Sequence, residues 1–126
     1  DAARRTLEDI LHPRIRATWL GNLDRWAGEG VALGVAVIPL LYETGSEAAF
    51  DRIVCVACSP ETQRERLRQR DWSDEEIDRR IAAQMSAEEK MKRADHVVWT
   101  DGPVSAHADQ WDDLLARWRG ASSTVA

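Results

Sequence analysis

Lysine is almost missing from this chain. Of its 17 basic residues only Lys90 and Lys92 are lysines; the rest are arginines, whose planar fork grips phosphate oxygens in pairs where lysine offers a point charge. Cysteine is also scarce. Cys55 and Cys58 are the only two, and their C-x-x-C spacing supplies two ligands where a structural zinc takes four, with no matching His or Cys pair elsewhere. Cys55 lies inside the apolar run Ile53-Val54-Cys55-Val56-Ala57, where a small thiol packs as a hydrophobe, whereas a thioredoxin-like pair would open a helix. No metal site and no thiol redox chemistry are therefore expected. The longest apolar stretch, residues 31–41, falls short of the roughly 20 residues that span a bilayer. A secretory leader is not visible, because Asp1-Ala2-Ala3-Arg4-Arg5 leads straight into an amphipathic segment, so a cytoplasmic setting is the default expectation. A basic excess is absent too: the net charge of −5 argues against a general nucleic-acid or membrane-surface binder.

What remains is the composition of a globular protein, 44% hydrophobic and 31% charged, with 126 residues to build a modest core. Residues 6–26 carry Leu7, Ile10, Leu11, Ile15, Trp19, Leu23 and Trp26 at three- and four-residue spacing, a helical stripe. Pro13, lacking an N–H, predicts two helices meeting near His12-Pro13 rather than one rod. Residues 31–38 form a β-branched apolar run that reads as a strand buried on both faces, ended by Pro39. A second buried strand is predicted over 52–57. Ser59-Pro60 then opens a helix, with Ser59 as N-cap and Pro60 in the first turn, reaching about Arg70. Ser73 with Glu76 and Ser86 with Glu89 are capping-box pairs that predict two further short helices between 71 and 94. A third strand is expected over 96–99, then a turn at Asp101-Gly102-Pro103. The last helix presents Val104, Ala108, Trp111, Leu114, Leu115 and Trp118 on one face, and a frayed tail follows from Gly120. Four tryptophans, Trp19, Trp26, Trp111 and Trp118, read as core. Strands alternating with helices imply parallel pairing through crossovers, hence an α/β class. No repeat, low-complexity tract or linker separates independent domains.

Three features could carry chemistry. Arg64, Arg66, Arg68, Arg70, Arg79 and Arg80 form a series in which Arg66 and Arg70 share one helix face and Arg64 and Arg68 another. They read either as a solvated surface answering Glu61, Glu65 and the acidic run 74–78, or as a clamp on phosphates. Ile38-Pro39-Leu40-Leu41-Tyr42-Glu43 leaves a strand at its carboxyl end, where ligands bind in open α/β sheets, although a plain turn fits equally. At His12-Pro13, the lone histidine is either a local hydrogen-bonding residue or a catalytic one.

The order of these fragments is similar to that in dephospho-CoA kinases. Leu7-Glu8-Asp9-Ile10-Leu11-His12-Pro13-Arg14-Ile15 resembles the segment leading to that family's His-Pro pair. Pro39-Leu40-Leu41-Tyr42-Glu43 resembles its P-L-L-(aromatic)-E segment, and Ser59-Pro60-Glu61-Thr62-Gln63 with Arg66 and Arg70 its Q-x-x-R-x-x-x-R helix. Arg80-Ile81, Gln84, Lys90 and Ala94-Asp95 match its R-I-x-x-Q, K and A-D positions. The resemblance spans residues 1–115 and implies a P-loop kinase fold: a parallel sheet with flanking helices, a helical CoA-binding region (1–30), a core region (31–70 and 95–120), a lid (71–94) and a disordered tail (121–126). It implies transfer of the γ-phosphoryl of ATP, with Mg²⁺, to the 3′-hydroxyl of dephospho-CoA, the last step of CoA synthesis. It implies that His12 and Pro13 bind dephospho-CoA, that Leu40, Leu41 and Glu43 line the acceptor side, and that Gln84 and Lys90 sit in or behind the lid. Arg66 and Arg70 would be the catalytic, phosphate-facing pair. Thr100, Asp101 and Gly102 would occupy the loop near adenine, where the family commonly has an asparagine in place of Thr100. Another nucleoside-phosphate kinase and a non-catalytic CoA-binding module are the alternatives. The oligomeric state is not legible.

One part of the implied enzyme is missing. No glycine precedes a lysine, so the phosphate-cradling G-x-x-x-x-G-K-[ST] motif does not occur in these residues. The strand that carries it is central in a P-loop sheet, between the strands predicted over 31–38 and 52–57. Its absence strands two rows of backbone groups, each costing about 1–3 kcal/mol if buried without a partner, against a domain stability of roughly 5–15 kcal/mol. These 126 residues alone are therefore expected to be inactive and poorly folded, unless the two strands pair directly or another chain fills the gap.

Overall fold

The computed structural model describes residues 2–122. They form five α-helices and two strands in an α/β arrangement: α1 (Ala2–Gly28), a short 3-10 turn (Glu47–Ala49), β1 (Val54–Ala57), α2 (Pro60–Arg68), α3 (Asp74–Ala82), α4 (Ala87–Arg93), β2 (His96–Trp99) and α5 (Val104–Ser122). Two compact units result, Asp1–Ala49 and Phe50–Ala126.

In the first unit, α1 runs unbroken through Pro13 for 27 residues, in contrast to the two helices expected. A proline removes one i→i−4 bond and crowds one carbonyl, a local penalty of about 3 kcal/mol that a helix of this length absorbs. No residue of α1 is buried, and Leu7, Ile10, Leu11 and Ile15 are exposed, while Trp19, Leu23 and Trp26 are half-buried. Residues 31–38 form no strand. Val31, Leu33, Val35 and Val37 are open, from 45% exposed at Val31 to 90% at Val37, and Ala36 and Ile38 are half-buried, where burial on both faces was expected. The run has the composition of a strand, but a strand exists only when a neighbour completes its backbone hydrogen bonds, and no ladder partner is present among the described residues. The segment returns past α1: a Cβ on Gly34 would lie 2.6 Å from the Trp26 ring, so this position admits no side chain without moving the indole. Residues 39–45 then close into helical turns, with the Thr44 N–H donating to the Leu40 carbonyl at 3.1 Å and the Ser46 N–H to the Leu41 carbonyl at 2.9 Å.

The second unit is built on a parallel pair, with Val54 opposite His96 and Ala57 opposite Trp99. Parallel strands need a long crossover, supplied here by α2, α3 and α4. Serines set the start of each crossover helix as the sequence predicts: Ser59, Ser73 and Ser86 accept the N–H of Thr62, Glu76 and Glu89, each at 3.2 Å. Only half of each capping box predicted at Ser73 and Ser86 forms among the described residues, and the Glu76 carboxylate turns instead to Arg79 and Arg80. Asp95 pins the start of the sheet, accepting the Ile53 N–H at 2.7 Å.

Among the described residues the buried apolar ones are Ala57, Ile77, Val98 and Leu114, one each from β1, α3, β2 and α5. The last helix buries less of its face than expected: Trp111, Leu115 and Trp118 are half-buried, and Val104 is 83% exposed. It continues to Ser122, past the Gly120 at which a tail was expected; residues 123–126 of that tail lie outside the described residues. Among the described residues no helix is long and apolar enough to cross a membrane.

Candidate functional site

Each unit holds one set of the residues that the sequence singles out. In the first, His12 and Pro13 on α1 and Pro39, Leu40 and Glu43 from the helical turns line one cavity of about 540 Å³. Leu41 is half-buried and not part of its wall. The volume falls in the range of small-molecule sites, about 300–1,000 Å³. Ile15 and Ile38 add apolar wall, and Arg16, Trp19, Thr44 and Ser46 join the lining in ways the sequence did not disclose. Arg16 lies one helical turn after His12, a spacing that could have signalled it, and its guanidinium sits 5.9 Å from the Trp19 ring centroid. Ser46 is 2% exposed and shares a 2.9 Å hydrogen bond with the Thr44 hydroxyl, which also reaches the Leu40 carbonyl at 2.8 Å. The cavity thus combines apolar walls with a cation, a carboxylate and an imidazole.

In the second unit the candidates gather at the carboxyl ends of β1 and β2. Thr100 follows β2, and its N–H and hydroxyl donate to the Ala57 carbonyl at 2.8 and 3.1 Å. Arg66 on α2 reaches the same residue, donating through Nη1 to the Thr100 hydroxyl at 2.7 Å and through Nη2 to its carbonyl oxygen. Asp101 accepts the Ser59 N–H and hydroxyl, both at 2.9 Å, so it braces the start of α2. The Thr62 hydroxyl first, then Ser59 and the charge on Arg66, hold the Asp101 carboxyl below the usual carboxylate range. Gly102, at φ 90°, makes the turn that a side chain would resist.

The other arginines divide by partner. Arg64 is paired with Asp78, Arg68 with Asp74 at 2.8 Å, and Arg79 and Arg80 with Glu76. Arg80 also lies 4.2 Å from the Trp72 ring centroid. The solvated-surface reading thus describes Arg64, Arg68, Arg79 and Arg80. Arg70 stands in the exposed turn after α2, one residue before Asp71 in its left-handed conformation (φ 59°), and its side chain has no hydrogen bond or ion pair among the described residues. Gln84 and Lys90 meet across the turn between α3 and α4, with the Lys90 ammonium donating to Gln84 Oε1 at 3.3 Å. Burial pushes the Cys55 thiol up, against the opposing charge of Lys90, away from a reactive thiolate. No group of three or more His, Cys, Asp or Glu side chains that could hold a metal ion occurs among the described residues.

A parallel α/β sheet with polar and cationic groups collected at its strand tips defines the class: an open α/β protein, a class in which ligands bind outside the carboxyl ends of the strands. The comparisons narrow it. A family model for dephospho-CoA kinase matches residues 1–105. The dephospho-CoA kinase of Anaeromyxobacter dehalogenans is 44% identical over 119 residues, 94% of this chain and 56% of that protein. That of Rhodopseudomonas palustris strain CGA009 is 46% identical over 115 residues, 90% of this chain and 58% of that protein. Among solved structures, TT1252 from Thermus thermophilus superposes with a TM-score of 0.68 at 31% identity, covering 93% of this chain and 61% of that one. The chain belongs to the dephospho-CoA kinase family. It spans a little over half the length of these curated relatives.

Proposed function

We propose that this chain supplies the acceptor-binding and lid portions of a dephospho-CoA kinase, which moves the γ-phosphoryl of ATP to the 3′-hydroxyl of dephospho-CoA. The observation that carries the reading is the convergence of His12-Pro13 and Leu40 with Glu43 on one cavity of the size that small ligands occupy. Those are the positions that the family resemblance assigns to the acceptor. In this reading the apolar walls take the non-reacting parts of dephospho-CoA, and Arg16 meets its phosphates. Arg70, exposed and uncommitted, offers its N–H fork to the phosphoryl oxygens, whose charge must be matched because positioning and electrostatics carry most of phosphoryl transfer. Residues 71–94, with Gln84 and Lys90, act as the lid; the left-handed Asp71 stands at its entrance. Residues 100–102 receive the nucleobase side of ATP. Mg²⁺ accompanies ATP, and no step is assigned to it from residues of this chain. The protein works in the cytoplasm on small molecules rather than on nucleic acid or membranes.

Steady-state ADP release, measured with dephospho-CoA and with nucleoside monophosphates as acceptors, tests this. The protein as encoded in its gene should turn over dephospho-CoA with kcat/KM at least a hundredfold above any monophosphate, and these 126 residues alone should show no turnover. Comparable rates on AMP or another nucleotide would replace the reading with a general nucleoside-phosphate kinase.

A further inference from the structure

The two arginines that the sequence treats as a pair are not equivalent in the fold. A guanidinium has five N–H donors. Arg66 commits two of them to a single residue, one to the Thr100 hydroxyl and one to the Thr100 carbonyl. The hydroxyl's one proton is spent on the Ala57 carbonyl, so towards Arg66 it can only accept, and the polarity of the chain Arg66 to Thr100 to Ala57 is unambiguous. The next residue, Asp101, is fastened by both of its oxygens to Ser59. The two positions after β2, Thr100 and Asp101, are thus bolted to the tip of β1 and to α2, and the left-handed Gly102 follows them. Arg70 has no such partner among the described residues.

We infer that Arg66 is a positioning residue, not a phosphate ligand: it locks the loop 100–102 at the strand tips in the shape that receives the nucleotide, leaving the phosphoryl group to Arg70. Recruiting Arg66 to phosphate would require breaking a forked contact that lysine cannot reproduce. The inference rests on the kinase reading for its kinetics but not for its structural half, and the experiment separates the two.

In the protein as encoded, Arg66→Lys, Arg66→Gln, Thr100→Val and the double variant R66Q/T100V are compared with Arg70→Lys. Hydrogen exchange at residues 100–102 is followed alongside KM for ATP and kcat. Arg66→Gln and Arg66→Lys should each raise exchange in the loop and KM for ATP by at least tenfold, with kcat falling less than threefold. Thr100→Val should do the same, and R66Q/T100V should be no worse than the more affected single variant, because both remove one shared contact. Arg70→Lys should lower kcat by at least tenfold and leave loop exchange as in the wild type. Arg66 variants that lower kcat as Arg70→Lys does, with loop exchange unaltered, overturn the proposal, as does multiplicative behaviour of the double variant. If the wild type transfers no phosphoryl group to dephospho-CoA, the kinase reading fails. Loop exchange in R66Q still decides the locking role then, a tenfold rise sustaining it and no change overturning it.

Discussion

At the scale of single residues, the second unit depends on a few side chains that join distant backbone. Asp101 is one. Because its neighbours hold its carboxyl below the ordinary range, the folded state prefers the ionised form. The stability this brings is present above the ordinary carboxylate pKa and is lost as pH falls through the depressed folded value. The urea midpoint of the wild type should therefore drop on strong acidification. Asp101→Asn should start lower at neutral pH and decline less steeply, and superimposable profiles would remove Asp101 from the linkage. Ile77 acts through burial instead, being fully buried on a helix that is otherwise mostly exposed. Ile77→Ala should cost about 2–5 kcal/mol in urea unfolding, the usual range for emptying a packed site. Both residues illustrate what can be read beforehand. Asp101 was visible as part of a turn, whereas for Ile77 only the cap of its helix, Ser73 with Glu76, was legible and its burial was not. The bonds from Asp101 to Ser59 were not visible, since they join positions far apart in the chain and leave no local pattern.

At the scale of elements, local chemistry was legible and pairing was not. Serine caps marked the starts of α2, α3 and α4, because a cap needs only its own next turn. The segment 31–38 looked like the best strand in the sequence and is not one, because strand formation is decided by a neighbour. The edges of the existing sheet make the same point. In the register of β1 and β2, Trp99 turns its N–H and carbonyl away from β1, and the Gln110 side chain on α5 takes both, at 2.8 and 2.9 Å. An amide side chain thus occupies the place of a further strand. Gln110→Ala should expose that edge and cost about 1–2 kcal/mol, with faster amide exchange at Trp99 as the diagnostic. On the other side, Val54 and Val56 direct their backbone groups away from β2 with no hydrogen-bond partner among the described residues, and Val56 is 55% exposed. That open edge is where the sequence argument expected a strand to be missing.

At the scale of the whole molecule, one unit holds a cavity of small-molecule size and the other holds Arg66 at its strand tips. The α/β class and the family were legible from short fragments in a fixed order, each weak alone. The cavity was legible only in part. His12, Pro13, Leu40 and Glu43 stood out by motif, whereas Arg16, Thr44 and Ser46 belong to it by geometry that no motif announces, and Trp19 read as core. The central claim is that the phosphoryl group lands on the ribose 3′-hydroxyl of dephospho-CoA. Phosphorus NMR of the product formed by the protein as encoded, with ATP and dephospho-CoA, observes that bond directly. The account predicts a new phosphomonoester resonance coupled to the 3′ proton, growing in step with ADP. ATP consumed with no such resonance, or a phosphomonoester at another position, would contradict it.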